Sequence, residues 1–562
     1  MSRTRTMPIQ HLARFLLCFC IIIIDLFAFH SSVVDHSIFQ SSVRSAAAHA
    51  HYTSEMDGIY WPQGQALPNF ASPEELDVAR VTNLPGDLSL LLGTLQGLVN
   101  RSRPQIYLQE GMPAEGANTW LQSLNIPYIL HSDPWEVVDK YINTARGVIV
   151  YDPRIIDTVN VATTMAGLYD GVVASPQLMK KLTAAPYNLP VLADLRGKFA
   201  SNLQANIWQV QHLWPYVSHR MLIGIRATTP SRLVGHATTY GYLRDYAVAN
   251  RAMVFWFSLL NPTEVNLFRQ VLSTVKPGTP YLGWYDKEFR GVRLTSSYGV
   301  YTIAADFFSN LTVFSGVRAP SLIQRTAPTP PLRNKIYVTF TMSEGDNFQY
   351  IQHAMRHLWE DPQRGQVPLN WSINPLLYDA APTMLNYYQL TASTNDYLVA
   401  GPSGAGYAYP SSWLFRNVNS FMHQSYNYMQ KAGLHVIFVI DDQRTIPRYV
   451  SNAYSEYAHA SGILYNWWNP ISYTTVSAGR IPLSKQVTAT NRRDMLNAIR
   501  LSARHWNGRS PLFLSALAIS WNLSPTDIKY VADHLGPNYT VVRGDQFFEL
   551  FRASRRLPPA QY

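Results

Sequence analysis

The sequence predicts an α/β protein with two folded regions, and three observations carry that prediction. Between residues 77 and 317, strand-like runs alternate with segments of helical length, a pattern typical of βαβ units around a parallel sheet. A proline-rich stretch at 318–334 lacks apolar periodicity and indicates a linker. Beyond it lies an almost wholly apolar run at 435–440, as expected of a parallel strand that is covered on both faces.

The first segment, residues 1–50, is predicted to be a signal peptide or signal anchor. Arg3, Arg5 and Arg14 form a basic region, an apolar run follows at 15–29, and small residues ending at Ala50 supply a cleavage pattern. The apolar run is shorter than the about 20 residues of a membrane span. Export is therefore expected, with an uncleaved membrane anchor as the alternative.

Composition and length constrain the rest of the chain. Both cysteines, Cys18 and Cys20, lie inside the leader, so the residues after it can form neither disulfides nor thiolate metal sites. The remainder is longer than one hydrophobic core usually holds. The predicted division is an N-terminal α/β region at 51–317, the linker at 318–334 and a C-terminal domain at 335–562.

Charge argues against one class of partner. The formal net charge is +10, but the basic residues are scattered and form no Lys/Arg block. No nucleic-acid partner is therefore expected. A G-x-x-x-x-G-K-[ST] loop and a G-x-S-x-G elbow are both absent from the sequence, which excludes those routes to nucleotide or ester hydrolysis.

The stretch 397–410 combines a short apolar strand with a loop rich in glycine and tyrosine. Glycine permits positive φ or close approach to a ligand, and tyrosine offers a flat face with a hydroxyl tip. The letters from Gly404 to Pro410, GAGYAYP, resemble the signature of the GxGYxYP putative glycoside hydrolase family. The resemblance extends to the stretches 96–101, 147–153, 343–347 and 541–547.

This resemblance implies a fold and an activity. The fold is an N-terminal parallel-sheet α/β region followed by a (β/α) barrel-like C-terminal domain. The activity is hydrolysis of glycosidic bonds in an oligo- or polysaccharide, with carbohydrate as the partner. No cofactor and no metal are expected. Which sugar is cleaved and how many chains assemble are left open.

The strand at 335–342 leads to the first pair of candidate catalytic residues. Its residues alternate with period two, and its even-numbered side chains are predicted to form the buried face. The same parity carries Glu344 and Asp346 to that side, at the carboxyl end of the strand, where (β/α) barrels hold their active sites.

A second pair, Asp441 and Asp442, ends the strand at 435–440, and only one of the two is expected to point into the site because neighbours alternate faces. Glycoside hydrolysis needs two carboxyl groups, one protonated and one ionised. Asp346, Glu344, Asp441 and Asp442 are therefore the predicted catalytic residues. The predicted substrate-binding residues are Asn347, Asp396, Gly404, Gly406, Tyr407, Tyr409, Trp284, Glu288, Trp467 and Trp468.

Two alternatives stay open. A metal-dependent polysaccharide deacetylase would use Asp441 and Asp442 with His353 and His357, which share a helix face at i and i+4. These pieces come in the opposite order from that family. A non-catalytic glycan-binding protein would use the same aromatic loop without needing two carboxylates.

Overall fold

The computed structural model describes residues 58–110, 113–227, 241–320, 322–325, 327–343 and 345–560. The predicted leader lies outside the described residues, as does Glu344. Among the described residues, no helix is both long enough and apolar enough to cross a membrane.

In its described residues, the N-terminal region holds one antiparallel pair and three small parallel sheets. The pair joins β1 (Ile59–Tyr60) to β2 (Asn69–Phe70). The parallel strands are β3 (Leu76–Arg80), β4 (Ile106–Gln109), β5 (Tyr128–His131), β6 (Val148–Val150), β7 (Val172–Ala174), β8 (Val191–Asp194), β9 (Leu222–Gly224), β10 (Val254–Phe255), β11 (Pro280–Gly283) and β12 (Tyr301–Ile303). Their orders are β4-β3-β5, β7-β6-β8 and β10-β9-β11-β12, which confirms the predicted parallel α/β region.

Helices connect these strands, and several begin at a side-chain cap. Asp133, Ser175, Ser201 and Asn261 each accept a hydrogen bond from a backbone N–H in the first turn of the helix that follows. The helices are α1 (Gly86–Ser102), α2 (Ala117–Ser123), α3 (Pro134–Tyr141), α4 (Thr158–Tyr169), α5 (Pro176–Thr183), α6 (Asn202–His212), α7 (Arg244–Ala249), α8 (Pro262–Thr274), α9 (Glu288–Ser297) and α10 (Leu311–Phe314).

The C-terminal region is a closed parallel barrel, which confirms and sharpens the predicted barrel-like domain. The strands are β13 (Ile336–Ser343), β14 (Leu369–Ile373), β15 (Asp396–Ala400), β16 (Val436–Ile440), β17 (Gly462–Asn469), β18 (Tyr473–Val476), β19 (Pro482–Ala489), β20 (Leu512–Ile519) and β21 (Tyr539–Val541). In the described part of the chain, seven of them close in the order β13-β14-β15-β16-β17-β19-β20 and back to β13. Outside this circle, β18 pairs antiparallel with β19, and β21 pairs with the first half of β13.

Helices surround the barrel, and the last one closes its amino-terminal end. They are α11 (Asn347–Gln352), α12 (Ala354–Trp359), α13 (Leu377–Ala380), α14 (Pro382–Thr391), α15 (Val418–Ala432), α16 (Arg448–Glu456), α17 (Arg492–Ala503), α18 (Pro525–Asp533) and α19 (Gly544–Arg555). Phe547 and Phe551 of α19 pack edge-on against Phe513, near the start of β20, with centroids 5.5 and 5.3 Å away. The carboxyl end of the barrel is therefore the end available for a site.

The predicted single buried face of β13 is wrong, because both faces of the strand are buried. The even-numbered residues belong to the core cluster that includes the surrounding helices. The odd-numbered side chains line the barrel: Thr341 accepts a hydrogen bond from Gln486, which lies two strands away on β19, and Ser343 bonds Ser372 of β14. Helices cover one side of this strand and the other side faces the barrel interior, so neither side faces solvent. Alternation of apolar and polar residues therefore does not identify a solvent-exposed face here.

The predicted linker contains no helix or strand in its described residues, and it packs along the barrel. The Gln324 side chain accepts from Leu398 N–H and donates to the carbonyls of Leu398 and Gly433. One core cluster runs from Ala66 to Leu535, so the two regions share their interior. The domain boundaries at 317 and 335 stay predictions.

Candidate functional site

Two glycines shape the loop that leaves β15, which we call the signature loop (residues 401–410). Gly404 and Gly406 have φ of +122° and +125°, a region that side chains rarely adopt. A Cβ on Gly404 would lie 2.5 Å from Ser425 Oγ, and one on Gly406 would lie 2.3 Å from the Tyr301 ring. Both positions therefore need glycine for conformation and for space.

The signature loop attaches the barrel mouth to the N-terminal region. Tyr407 exchanges two backbone hydrogen bonds of 2.8 Å with Thr302 of β12. Tyr409 N–H donates to Ser296 Oγ on α9 at 3.0 Å. The site consequently lies where the carboxyl ends of β12 and of the barrel strands meet.

Three predicted binding residues come together under this loop. The Tyr407 hydroxyl donates to Glu288 Oε1 over 2.7 Å, and the Trp284 ring stacks on Tyr407 with centroids 6.2 Å apart. A Cβ on Gly345 would lie 3.3 Å from Glu288 Oε1, so the turn that carries Asp346 begins beside this carboxylate. Glu288 keeps access to solvent, but surrounding protein atoms desolvate its carboxylate and raise its pKa.

Asp441 and Asp442 both turn toward the residues just after the signature loop. Asp441 accepts from the backbone and hydroxyl of Ser411 and from the Tyr465 hydroxyl at 3.2 Å. Burial raises the pKa of Asp441 to about 7. Asp442 accepts from Ser412 Oγ at 2.5 Å and from Arg293 Nε at 2.6 Å. These contacts fit carboxylates that position the loop.

Asp346 ends the turn after β13 and directly precedes α11. With Gln349 and His353 it lines a cavity of about 220 Å³. Asn347 is buried, and its Oδ1 accepts from Ala304 N–H at 3.3 Å, which joins the turn to the end of β12. No described residue bonds its Nδ2.

Asp306, three residues beyond β12, is a carboxyl group that sequence reasoning missed. Its Oδ1 is buried and has no hydrogen-bond partner among the described residues. Burial, with the negative charge of nearby Asp346, raises the pKa of Asp306 to about 8. Its position could have identified it from the sequence, because Asp306 follows a parallel strand just as Asp346 does.

Two exposed aromatic rings line the same cavity as Asp346, and neither was among the predicted site residues. Trp521 follows β20 almost directly and is 55% exposed, and Phe307 follows Asp306 and is 37% exposed. Large apolar side chains left open beside a polar cavity are typical of binding surfaces. The position of Trp521 at the end of a barrel strand was the available signal.

Other predicted residues lie elsewhere or cannot be assigned. Asp396 starts β15, so it lies at the amino-terminal end of the barrel, where it accepts from Trp371 Nε1 and Arg364. Trp468 is 68% exposed on β17. The side chain of Trp467 lies outside what the structure describes.

The helix expected to present His353 and His357 on one face breaks at His353, where α11 ends and α12 begins. His353 Nδ1 lies 3.0 Å from the Glu115 carboxylate, and its Nε2 contacts the Phe307 carbonyl at 2.9 Å. Across the described ranges, no three His, Cys, Asp or Glu side chains are grouped as metal ligands would be.

Comparisons with known proteins cover most of the chain. The model of the GxGYxYP putative glycoside hydrolase C-terminal domain matches residues 334–552, and those of the first, second and third N-terminal GxGYxYP domains match 75–143, 145–217 and 231–316. The crystal structure of a putative hydrolase from Bacteroides thetaiotaomicron VPI-5482 is similar in fold, with a TM-score of 0.77 and 24% identity over 89% of this chain and 99% of that chain. No curated protein matches. Since the family models follow the chain from residue 75 to residue 552, the protein belongs to the GxGYxYP putative glycoside hydrolase family.

Proposed function

We propose that this protein hydrolyses glycosidic bonds of an oligo- or polysaccharide at the barrel mouth, with Asp306 and Asp346 as its two carboxyl groups. The family name and the naming of the similar crystal structure as a putative hydrolase both support a hydrolase. The observation that carries the proposal is the pair itself: an enclosed carboxyl group at the end of β12 lies close to one that lines a cavity at the end of β13.

The two carboxyl groups have different environments, as this reaction requires. One group must give a proton to the leaving oxygen, and the other must attack the anomeric carbon or activate water. A pKa of about 8 keeps Asp306 protonated at neutral pH, which suits the first role. Asp346, whose negative charge acts on Asp306, suits the second. The glycosidic C–O bond breaks as the leaving oxygen takes the proton, and water supplies the hydroxyl group of the new end.

Neighbouring side chains suit the binding of sugar. The exposed rings of Trp521 and Phe307 offer apolar faces for the C–H side of a pyranose. Glu288, held by Tyr407, keeps solvent access and can accept hydrogen bonds from sugar hydroxyls. Binding groups therefore flank both sides of the turn that carries Asp346.

The test is release of reducing ends from a panel of polysaccharides and aryl glycosides by the purified protein. Asp306→Asn and Asp346→Asn keep the size of each side chain but remove its proton chemistry, so each should abolish turnover. Asp533→Asn, which changes an exposed carboxylate on α18, is the matched control and should retain it. A melting curve for each variant separates loss of chemistry from loss of fold.

Two results would contradict the proposal. Turnover that survives in both Asn variants would remove Asp306 and Asp346 from the reaction. Glycan binding without turnover on any substrate would identify a glycan-binding protein instead.

We further propose that the protein is exported, which agrees with a polysaccharide substrate outside the cell. The support is the basic and apolar pattern of residues 1–50. Mass spectrometry of the protein recovered from its native host should find an amino terminus near residue 51 in the extracellular fraction. An intact leader in the membrane fraction would favour the anchor.

A further inference from the structure

We infer that a groove beside the signature loop binds the charged units of an acidic glycan, whose sugars carry carboxylate or sulfate groups. The inference rests on the proposed function, because it names the class of sugar that the same site would accept. It rests on different residues, however, and it can fail separately.

The groove lies between α8 and α9 and has a volume of about 670 Å³. That volume is within the roughly 300–1,000 Å³ typical of ligand sites. Three arginines line it, Arg269 from α8 and Arg290 and Arg293 from α9, and none of its described lining residues is an aspartate or glutamate. The groove is therefore a concave surface whose described charged residues are all positive.

Among the described residues, two of these charges have no acidic partner. Arg269 donates to the side chain of Asn266, and Arg290 donates to the Leu259 carbonyl, both of them neutral groups. In the part of the chain that the structure describes, neither arginine forms an ion pair with a carboxylate. Each guanidinium retains N–H donors, and its planar fork matches the oxygens of a carboxylate or sulfate group.

The remaining lining favours a sugar over other anions. Its apolar lining residues are Leu259, Leu260, Pro262, Val265 and Leu294, and Leu260 is 57% exposed. Apolar surface beside hydrogen-bond donors suits a pyranose, which has C–H faces and polar edges. The described lining contains no aromatic ring on which a nucleic-acid base could stack.

The groove is connected by a chain of contacts to the residues under the signature loop. Its liner Ser412 follows the signature loop and bonds Asp442, which Arg293 also holds. The Arg293 guanidinium lies 4.3 Å from the Phe289 ring, and that ring lies 5.7 Å from the ring of Tyr409. Arg290 and Arg293 therefore lie on the same helix as Glu288, within its first two turns, close to the residues under the signature loop.

The experiment is calorimetric titration of the full-length protein with a trimer of galacturonic acid, with its methyl ester, and with a sulfated trisaccharide. We expect at least one of the anionic ligands to bind roughly tenfold more tightly than the neutral ester, which corresponds to two exposed charge-assisted contacts. The preference should shrink at high salt, because exposed charges are screened. Preference for only one anionic ligand would support the inference and identify the anion.

Variants connect the preference to the groove. Arg269→Gln with Arg290→Gln should lower affinity for the preferred anion roughly tenfold and leave the ester unchanged. Arg493→Gln, an exposed change on α17, is the control and should alter neither. Equal affinity for the acid, sulfated and neutral ligands would overturn the inference, as would an anion preference that survives in the double variant.

The outcomes also separate this inference from the proposed function. Hydrolysis of neutral glycans without any anion preference would support the proposed reaction and contradict the inference of an acidic substrate. Anion preference without turnover would keep the groove and remove the reaction.

Discussion

The Tyr407 hydroxyl donates a hydrogen bond of 2.7 Å to Glu288 Oε1, and this contact joins the barrel to the N-terminal region at the mouth of the site. Tyr407 is fully buried and is also held by its backbone to Thr302. The signature loop therefore also has a structural role, because it connects the barrel to the N-terminal region. Its first tyrosine fixes a carboxylate that comes from a helix more than a hundred residues earlier.

Tyr407→Phe should lower the free energy of unfolding by about 0.5–1.5 kcal/mol, because Glu288 loses a hydrogen bond that water replaces only in part. The pKa of Glu288 should rise further, since the Tyr407 hydrogen bond lowers it in the native protein. Urea denaturation measures the first effect and NMR titration of the Glu288 carboxyl group the second. Glu288→Gln is the matched control, because its amide oxygen can still accept from Tyr407. Equal loss of stability in both variants would contradict the role given to this bond.

Gly406→Ala should destabilise the protein by about 2–4 kcal/mol, since strain at positive φ adds to overpacking against Tyr301. Gly536→Ala is the control: its φ is +95°, but a Cβ there would meet no atom within 4 Å. That variant should lose only the strain, about 1–2 kcal/mol. Thermal or urea denaturation of both proteins gives the comparison. Similar losses would mean that the close approach to Tyr301 has no energetic importance.

Local pattern was enough to predict several elements of this fold. The strands expected at 335–342 and 435–440 are β13 and β16, each with bounds shifted by only a few residues. These segments have strong apolar patterns and clear terminators, so tertiary contacts did not override them. The barrel-like arrangement of the strands followed from family resemblance, because no local pattern encodes it.

Side-chain directions and long-range neighbours were harder to predict. Alternation in β13 was assigned to one buried face, although its polar face lines the barrel interior. Asp306 was not among the predicted catalytic residues because all of those follow barrel strands, whereas β12 brings its own carboxyl end to the same place. Whether the ends of distant strands lie side by side depends on how the two regions pack, and the periodicity of the sequence carries no information about that packing.

Replacing Asp306 with Asn should change how stability depends on pH. The ordinary pKa of this group is 3.8 and its folded value is about 8, so between these values the folded state binds more protons than the unfolded state. Wild-type stability therefore falls with rising pH across that window, by at most about 1.4 kcal/mol per pH unit from this group. Relative to wild type, Asp306→Asn should gain stability steadily from about pH 4 to about pH 8. Urea denaturation across the window tests this, and a constant difference would contradict it.

Removing Arg293 alone should lower the free energy of unfolding more than removing both Arg293 and the charge of Asp442. The Asp442 side chain is fully buried, whereas that of Arg293 is 46% exposed. Arg293→Ala leaves a buried carboxylate with Ser412 as its remaining strong donor, so we expect a loss of about 1–3 kcal/mol. Adding Asp442→Asn should recover part of that loss. A double-mutant cycle of unfolding free energies measures the coupling, and additive losses would show that the ion pair contributes nothing.

Trp521 and Trp468 distinguish a binding ring from an exposed ring. Both follow or end barrel strands and both are more than half exposed, but only Trp521 lines the cavity with Asp346 in the described structure. Trp521→Ala should therefore raise KM about tenfold through loss of stacking, with little change in kcat or in melting temperature. Trp468→Ala should leave KM close to that of the wild type. The opposite ranking would move the sugar toward β17 and away from Asp346, and it would make Trp468 the stacking residue.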